Sequence, residues 1–406
     1  MVSHSAELRT PANPYKILIA GGCYAGLSAA VNLLEKCDTI ESSIPVNITI
    51  VDERDGFYHV IGSPLALATK EYAEKAWVDY KDVKILQRPN VTFVHGTLSN
   101  VNCETKTATI SETGKEEPRT ESYDFFIAAT GLRRVWPVVP QSLSRKAYLL
   151  EAGAHIDKVL NSTAPVLVVG GGAVGIEMAA ELKHVHPHVN VTLAHSRDKL
   201  LSAEPLPDNV KTCALEMLQQ TGVEVLLDHR LSDTKVLPTA DGTEQYEVEF
   251  ENGHKMVSSQ VVMAISKAIP STDYLPKAAL SDEGYVNVHP SLQLLSDTIP
   301  NAKSHFAVGD LIHWSGIKRC GGAMHEGKYA ALNIHQMILQ QIQGHEPVFN
   351  ELNEIPPMIG LAVGKNAISY GPEGMNHGPQ VMWRFFEDDL GFRIVWDYLR
   401  LGGQAA

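Results

Sequence analysis

The sequence lacks several features, and each absence narrows the class of protein before any motif is read. Its 406 residues hold only five cysteines, Cys23, Cys37, Cys103, Cys213 and Cys320, and none forms a CxxC pair. An odd, scattered set builds neither a disulfide framework nor a thiolate zinc site, and it fits a reducing compartment. No metal site is expected. No run of about 18 uninterrupted apolar residues occurs, so no transmembrane segment is expected. Basic residues are scarce: 34 Lys and Arg against 47 Asp and Glu give a formal charge of -13. A nucleic-acid partner needs a basic face against its phosphates, and this balance argues against one. It also disfavours broad electrostatic attachment to an acidic membrane, while peripheral contact through a local patch stays open. The opening MVSHSAELRTPANP has no charged-then-apolar secretory pattern, and Val2 stands where N-myristoylation requires glycine. A cytoplasmic protein is the expectation.

What is present is an ordinary globular composition, 44% hydrophobic and 20% charged, with length for two or three cores. Two glycine-rich turns dominate it. The first lies in KILIAGGCYAGLSAAVNLL from Lys16, the second in VLVVGGGAVGIEMAAEL from Val166. Each is preceded by a short apolar run read as a buried strand and followed by a small-residue helix. After the first turn, VNITIVDERD supplies a second strand ending in acids, completing a βαβ unit. VTFVHGTLSNV and KTATI alternate as a meander, and YDFFIAATG closes the first half. The second half repeats the scheme, with VNVTLAHS as its second strand and EQYEVEFENGHKM as a hairpin turning at Asn-Gly. SHFAVGDLIHW reads as a further strand ending in an acid, before a helix over about 322–340. The remainder reads as a small unit of strands and one helix.

In a GxGxxG fingerprint one glycine makes the turn, one admits the pyrophosphate, and one lets helix pack on strand. Gly170, Gly172 and Gly175 fill all three places, with Ala173 and Val174 opening the helix. In the first turn Gly21, Gly22, Ala25 and Gly26 keep the pattern, but Cys23 holds the middle position. Both helix starts are suited to phosphate. Asp52, with Glu53 as runner-up, is placed to accept ribose hydroxyls. The matching strand end in the second half is His195, Ser196 and Arg197, with no acid. An arginine pairs with a 2′-phosphate that an acid would repel, which tilts this site towards NADPH.

The combination GGCYAG, VDERDGFYH, YDFFIAATG, GGGAVGIE and FAVGD resembles the pyridine nucleotide-disulfide oxidoreductase superfamily across nearly the whole chain. The resemblance implies an α/β fold with two Rossmann-like dinucleotide-binding domains and a small C-terminal unit. It implies an FAD domain over 1–134 and 288–345, an NAD(P)H domain over 135–287, and an α+β unit over 346–406. Carried over, Ala129, Thr130 and Gly131 pass near FAD, Gly309 and Asp310 meet its ribityl or phosphate region, and the helix around Ala323 faces the flavin. Disulfide reductases of the superfamily carry a cysteine pair after the first acidic strand, where this chain has GFYHVIGSPLALATKEYAEKAW and no cysteine. The segment DERDGFYHVIGSPLALA is instead similar to the apoptosis-inducing-factor-like branch, which includes ferroptosis-suppressor-type quinone reductases and fungal relatives. That likeness places His59, and with it Tyr58, beside the flavin, and Glu177 near the nicotinamide. It departs from the pattern at Ser266, where glycine is usual. Lys318 and His325 are further candidates to donate a proton or hydrogen bond.

The function expected is FAD-dependent transfer of hydride from NAD(P)H to flavin N5, then of electrons to a small quinone-like or aromatic acceptor. Two alternatives stand beside it: a biosynthetic flavoenzyme acting on one dedicated metabolite, and a flavin-bearing redox signalling protein. Monomer and homodimer are both compatible with the sequence.

Overall fold

A computed structural model of the chain describes residues 9–39, 42–238, 244–265 and 268–403. The first apolar run is strand β1, Tyr15–Ala20, and every side chain in it except Lys16 is buried, as a strand covered on both faces requires. The first turn leads into helix α1, Tyr24–Cys37, and the chain returns as β2, Val46–Asp52. Two short helices follow, α2 at Ser63–Ala66 and α3 at Lys70–Ala76, the latter capped by Thr69 accepting the Tyr72 N–H.

The expected meander is continuous with the sheet. Strand β3, Val91–Asn102, pairs in parallel with β2 through Val91–His95, then antiparallel with β4, Thr107–Glu112. Strands β5, Arg119–Ser122, and β6, Phe125–Ala128, complete this half.

After Ala128 the chain crosses into a second unit. Helix α4, Arg145–Leu160, is capped by Ser144, whose side chain accepts the Ala147 N–H. Then come β7, Val166–Val169, α5, Ala173–Val185, β8, Val191–Ala194, α6, Asp208–Gln220, and β9, Glu224–Leu226. Strands β10, Leu231–Pro238, β11, Glu244–Phe250, and β12, Lys255–Ser258, form an antiparallel sheet, with the expected hairpin between the last two. Strand β13, Gln260–Met263, joins the parallel sheet of order β9-β8-β7-β13.

A two-stranded antiparallel link, Leu132–Arg133 with Ile269–Pro270, ties the outgoing and returning crossings together. Strand β14, His305–Ala307, then re-enters the first sheet beside β6, giving the order β14-β6-β1-β2-β3-β4-β5.

Helix α7, Cys320–Gln343, lies against α1 at very short range. A Cβ on Gly327 would stand 2.2 Å from the Ala25 carbonyl oxygen, and the Ser28 hydroxyl donates to the Met324 carbonyl at 2.6 Å. The C-terminal residues form a three-stranded antiparallel sheet, β15, Ile359–Val363, β16, Asn366–Gly371, and β17, Gly374–Gly378. Two helices follow rather than the one expected: α8, Pro379–Phe385, and α9, Phe392–Tyr398. The break between them is held by Asp389, 3% exposed and ion-paired with Lys75 at 2.6 Å.

No helix among the described residues is long and apolar enough to cross a membrane, and no group of three or more His, Cys, Asp or Glu among them could hold a metal.

Candidate functional site

The two glycine turns have the same construction. At the first, Gly21 has φ +102°, and a Cβ there would lie 2.4 Å from the Ala129 carbonyl oxygen. A Cβ on Gly26 would lie 1.8 Å from the carbonyl oxygen of Gly21. At the second, Gly170 has φ +123° with a would-be Cβ 2.9 Å from the Ala264 oxygen, and a Cβ on Gly175 would stand 1.9 Å from the Gly170 oxygen. Glycine is therefore required by backbone approach at the outer positions of both turns.

The middle positions differ. A Cβ on Gly172 would meet nothing within 4 Å, so this residue faces open space. At the first turn Cys23 occupies that place, and its Sγ–H donates to the Tyr58 carbonyl at 3.5 Å. Burial pushes this thiol up to about 12, so it is not a thiolate at neutral pH.

Each turn is braced by the end of the next strand. The Gly22 N–H donates to Asp52 Oδ2 at 2.6 Å and the Arg54 N–H to Asp52 Oδ1 at 2.8 Å. The Tyr80 hydroxyl donates to the Gly22 carbonyl at 2.6 Å. In the second half the Gly171 N–H donates to His195 Nδ1 at 3.1 Å, leaving Nε2–H to donate to Ser202 Oγ at 2.9 Å.

A single cavity of about 2100 Å³ runs between the two turns, lined by Cys23 to Ala25 at one end and by Gly172, Ala173, Val174 and Glu177 at the other. Ala129 to Gly131, Gly309, Asp310, and Lys318 to Ala323 form its floor. Helices α1, α5 and α7 all begin on this cavity. None of the three has a side-chain cap or an acid in its first turn. Helices α3 and α4, by contrast, are capped by their own hydroxyls. Three uncapped helix starts aimed into one space leave N–H groups and positive dipole ends unanswered, an arrangement suited to anionic ligands. Arg54 also lines the cavity and keeps its Nε buried without a hydrogen-bond partner among the described residues. An orphaned guanidinium donor beside a phosphate-type turn fits a dinucleotide.

Asp310 faces the cavity, and among the described residues no hydrogen bond reaches its carboxylate. Burial raises its pKa, opposed by Arg134 and Lys318. Lys318 donates to the Ile312 carbonyl at 2.6 Å and sits 5.6 Å from the Tyr285 ring centroid. Burial lowers its pKa, and Glu326 and Asp310 partly restore it. Glu326, on α7, accepts the Gly309 N–H at 2.6 Å and fixes the turn that presents Asp310.

Of the residues singled out from sequence, Asp52, Glu53, Thr130, Gly131, Glu177, Lys318 and His325 line the cavity. Glu53 is held in an ion pair with Arg133, and Thr130 Oγ1 donates to the Ser271 carbonyl at 2.6 Å. Glu177 lies beyond the first turn of α5, which contains no acid, so a dipole role does not account for it.

His59 is elsewhere. It is fully buried behind the cavity wall, between Tyr24 and the C-terminal unit. Its Nε2–H donates to the Leu390 carbonyl at 3.0 Å, and the Tyr24 hydroxyl donates to Nδ1 at 3.3 Å while accepting the Ile61 N–H. These bonds satisfy both ring nitrogens, and the His59 side chain does not line the cavity, whereas Tyr58 does. Arg197, three residues past the end of β8, is exposed, and neither it nor His195 lines the cavity. Ser266 lies outside the described residues.

Sequence reasoning missed Glu326, the Arg54 orphan, Tyr80 and the buried Glu181. Each owes its role to a neighbour distant in sequence or to burial alone, and no spacing announces it.

The family model described as pyridine nucleotide-disulphide oxidoreductase matches residues 15–327. Oxidoreductase OXR1 of Ajellomyces capsulatus is 46% identical, over 96% of this chain and 88% of that protein. Ferroptosis suppressor protein 1 of Mus musculus is 26% identical, over 79% of this chain and 80% of that protein. Among solved structures, a NAD-dependent persulfide reductase from A. fulgidus superposes with a TM-score of 0.66 at 19% identity, over 87% of this chain and 63% of that longer one. A ferredoxin reductase from Rhodopseudomonas palustris gives 0.65 at 15% identity, over 87% of this chain and 81% of that chain. At these identities the two structures speak for the fold alone.

Proposed function

The chain belongs to the pyridine nucleotide-disulphide oxidoreductase family, and we propose that it is an FAD-dependent NAD(P)H:acceptor oxidoreductase whose acceptor is a small quinone-like molecule. FAD and NAD(P)H are the cofactors of this family. The observation that carries the reading is the continuous cavity joining two phosphate-type turns, with three uncapped helix starts opening on it. FAD, when bound, would supply the two-electron carrier between NAD(P)H and the acceptor; the protein's own residues bind, orient and exclude water.

In this reading Gly21, Gly22, Cys23, Ala25 and Gly26 hold the FAD pyrophosphate. Asp52, already fixed by two N–H donors, offers its remaining lone pairs to the ribose, and Arg54 offers its free Nε–H. Asp310 accepts from the ribityl hydroxyls, and Ala323 lies in the first turn of α7, whose start faces the flavin ring. Gly170, Gly172, Ala173, Val174 and Gly175 hold the nicotinamide dinucleotide. His195 and Arg197 favour NADPH, because the bracing group of this turn is an imidazole and not a carboxylate.

The acceptor end is walled by Met358, Ile359, Tyr370, Phe385 and Phe386 from the C-terminal unit. Such an apolar and aromatic lining suits a flat ring. The same wall carries Asn376, His377, Gln380 and Arg384, and these polar groups favour a second reading, a dedicated aromatic metabolite bearing an acidic or hydroxyl group.

Anaerobic mixing with NADPH or NADH, followed by short-chain quinones or aromatic carboxylates, tests both readings. Rapid flavin bleaching and quinone-driven recovery is the result expected from the first; recovery with the carboxylates alone turns the assignment to the second. A purified protein that neither holds nor takes up FAD overturns both.

A further inference from the structure

Away from the cavity lining, two histidines from different elements of the second unit meet. His229 lies three residues beyond β9, and His254 is the last residue before β12. His229 Nε2 and His254 Nδ1 are 3.0 Å apart, and the rings stand at 84° to one another. Both pack on Phe250, the buried last residue of β11, His254 stacked at 5.7 Å and His229 edge-on at 5.1 Å.

The backbone around the pair is tied down on both sides. The His229 N–H donates to the His195 carbonyl at 2.8 Å, and the His254 carbonyl accepts the Phe250 N–H at 3.0 Å. Asn252 joins the two segments: its Oδ1 accepts the His254 N–H at 3.0 Å, and its Nδ2–H donates to the Asp228 carbonyl at 3.1 Å. Arg230, next to His229, is ion-paired with Glu251 at 3.5 Å, which offsets its charge.

Hydrogen bonding also places the ring protons. His229 Nδ1–H donates to the Leu227 carbonyl at 2.6 Å, so Nε2 of the neutral ring is a lone pair. That lone pair accepts from His254 Nδ1–H, while His254 Nε2 has no partner among the described residues. An imidazole whose far nitrogen donates to a backbone carbonyl is oriented and made more basic for metal binding. Moving the His254 proton from Nδ1 to Nε2 turns two lone pairs on one point, with no proton lost from the protein. His254 is exposed and His229 half-buried, so solvent reaches that point and supplies further ligands.

The spacing selects the ion. Metal–nitrogen bonds of about 2.0–2.1 Å hold two nitrogens about 2.9 Å apart at a right angle and about 3.3–3.4 Å apart at a tetrahedral one. The 3.0 Å separation is nearer the first, the geometry of tetragonal copper(II) or nickel(II) and not of zinc. Copper(II) also stands highest in affinity for imidazole sites of this kind. We propose that His229 and His254 form a chelating site for a tetragonal divalent transition-metal ion, copper(II) above all, which staples the turn before β12 to the segment after β9. The site is independent of the oxidoreductase reading.

The test uses tag-free, flavin-loaded protein in the oxidised state without nucleotide, titrated with copper(II) and separately with zinc(II). Wild type is compared with His229→Ala, His254→Ala and, as a control, His188→Ala, each checked by circular dichroism. Wild type is expected to give a copper electron-paramagnetic-resonance spectrum with coupling to two imidazole nitrogens, and to hold zinc(II) more weakly. Copper at about 100 times its dissociation constant should raise the melting temperature by about 5 °C. His229→Ala and His254→Ala should each lose the two-nitrogen pattern and the temperature rise, with copper binding weakened about tenfold or more. His188→Ala should keep both. His254 is exposed, so its replacement tests the site without opening the interior. Copper uptake that survives both substitutions, or that is lost equally in His188→Ala, marks an adventitious surface ion only and overturns the proposal. Zinc(II) held more tightly than copper(II) overturns it as well. Both results leave the enzyme reading intact, because no step of that reading passes through this pair.

Discussion

Asp52 and His195 occupy the same place in the two halves and do the same work with opposite electrostatic consequences. Each accepts a backbone N–H of its glycine turn, Gly22 to Asp52 at 2.6 Å and Gly171 to His195 at 3.1 Å. Asp52 brings a carboxylate to the first turn. His195 brings a neutral ring, since burial lowers its pKa and its Nδ1 is engaged as an acceptor.

His195→Asp is therefore expected to keep the bracing bond while adding a negative charge near the 2′ position of a bound nucleotide. NADPH affinity should weaken about tenfold relative to NADH, equivalent to about 1.4 kcal/mol. Fluorescence titration with both nucleotides checks this. Equal weakening of the two would show that the charge at this position does not discriminate.

How much of this was legible in the sequence follows from the range of the interactions. Both turns, their strands and the return of the 305–307 strand were visible, because local glycine spacing and apolar runs encode them. The loss of carboxylate at His195 was visible too, since it lies at a fixed offset from its turn. The burial of His59 was not: its partners are Tyr24 and Leu390, the latter 331 positions away. Glu181 looked like any helical glutamate, because nothing in its neighbourhood along the chain says that α2 and β15 cover it. The second C-terminal helix was hidden by short length and by aromatic residues that suit strands equally well.

The three glycines of the second turn should separate folding from binding. Gly175→Ala places a Cβ 1.9 Å from the Gly170 oxygen, so backbone must move. A cost of about 1–3 kcal/mol is expected, with loss of reduction by NAD(P)H. Gly172→Ala meets open space within the protein. It should leave stability within about 0.5 kcal/mol of wild type yet weaken nucleotide binding about tenfold, by holding the pyrophosphate away. Thermal melts and nucleotide titration of both variants decide the matter. A Gly172→Ala protein that binds normally would remove the second turn from the site.

Acid should destabilise the fold through His59. Burial holds its pKa down at about 4 against the usual 6.5. The contribution of a neutral His59 is complete above pH 6.5 and is lost as pH falls from 6.5 to 4, because over that range the unfolded chain takes up a proton the folded one does not. His59→Gln retains a donor for Leu390 but does not titrate. Its stability deficit against wild type should shrink by roughly 1.4 kcal/mol per pH unit within that window. Denaturant unfolding of both proteins across the range measures the gap, and a constant gap would exclude His59 as the titrating group.

Glu326 should show the reverse dependence. Its carboxyl, pushed up to about 7 chiefly by burial, accepts the Gly309 N–H that sets the turn before Asp310. A raised carboxyl binds its proton more tightly in the folded state, so its contribution is present at low pH and lost as pH rises from the ordinary glutamate range through about 7. Glu326→Gln keeps an oxygen for Gly309 without the charge, so it should fold and retain FAD, and gain stability on wild type as pH rises. Glu326→Ala leaves the Gly309 N–H buried and unpaired, which costs about 1–3 kcal/mol and lets the Asp310 turn move. Flavin content after gel filtration is therefore expected to order as wild type, then Gln, then Ala. If Ala retains flavin as fully as Gln, the Gly309 bond does not hold the Asp310 turn, and Asp310 must be positioned by the return strand alone.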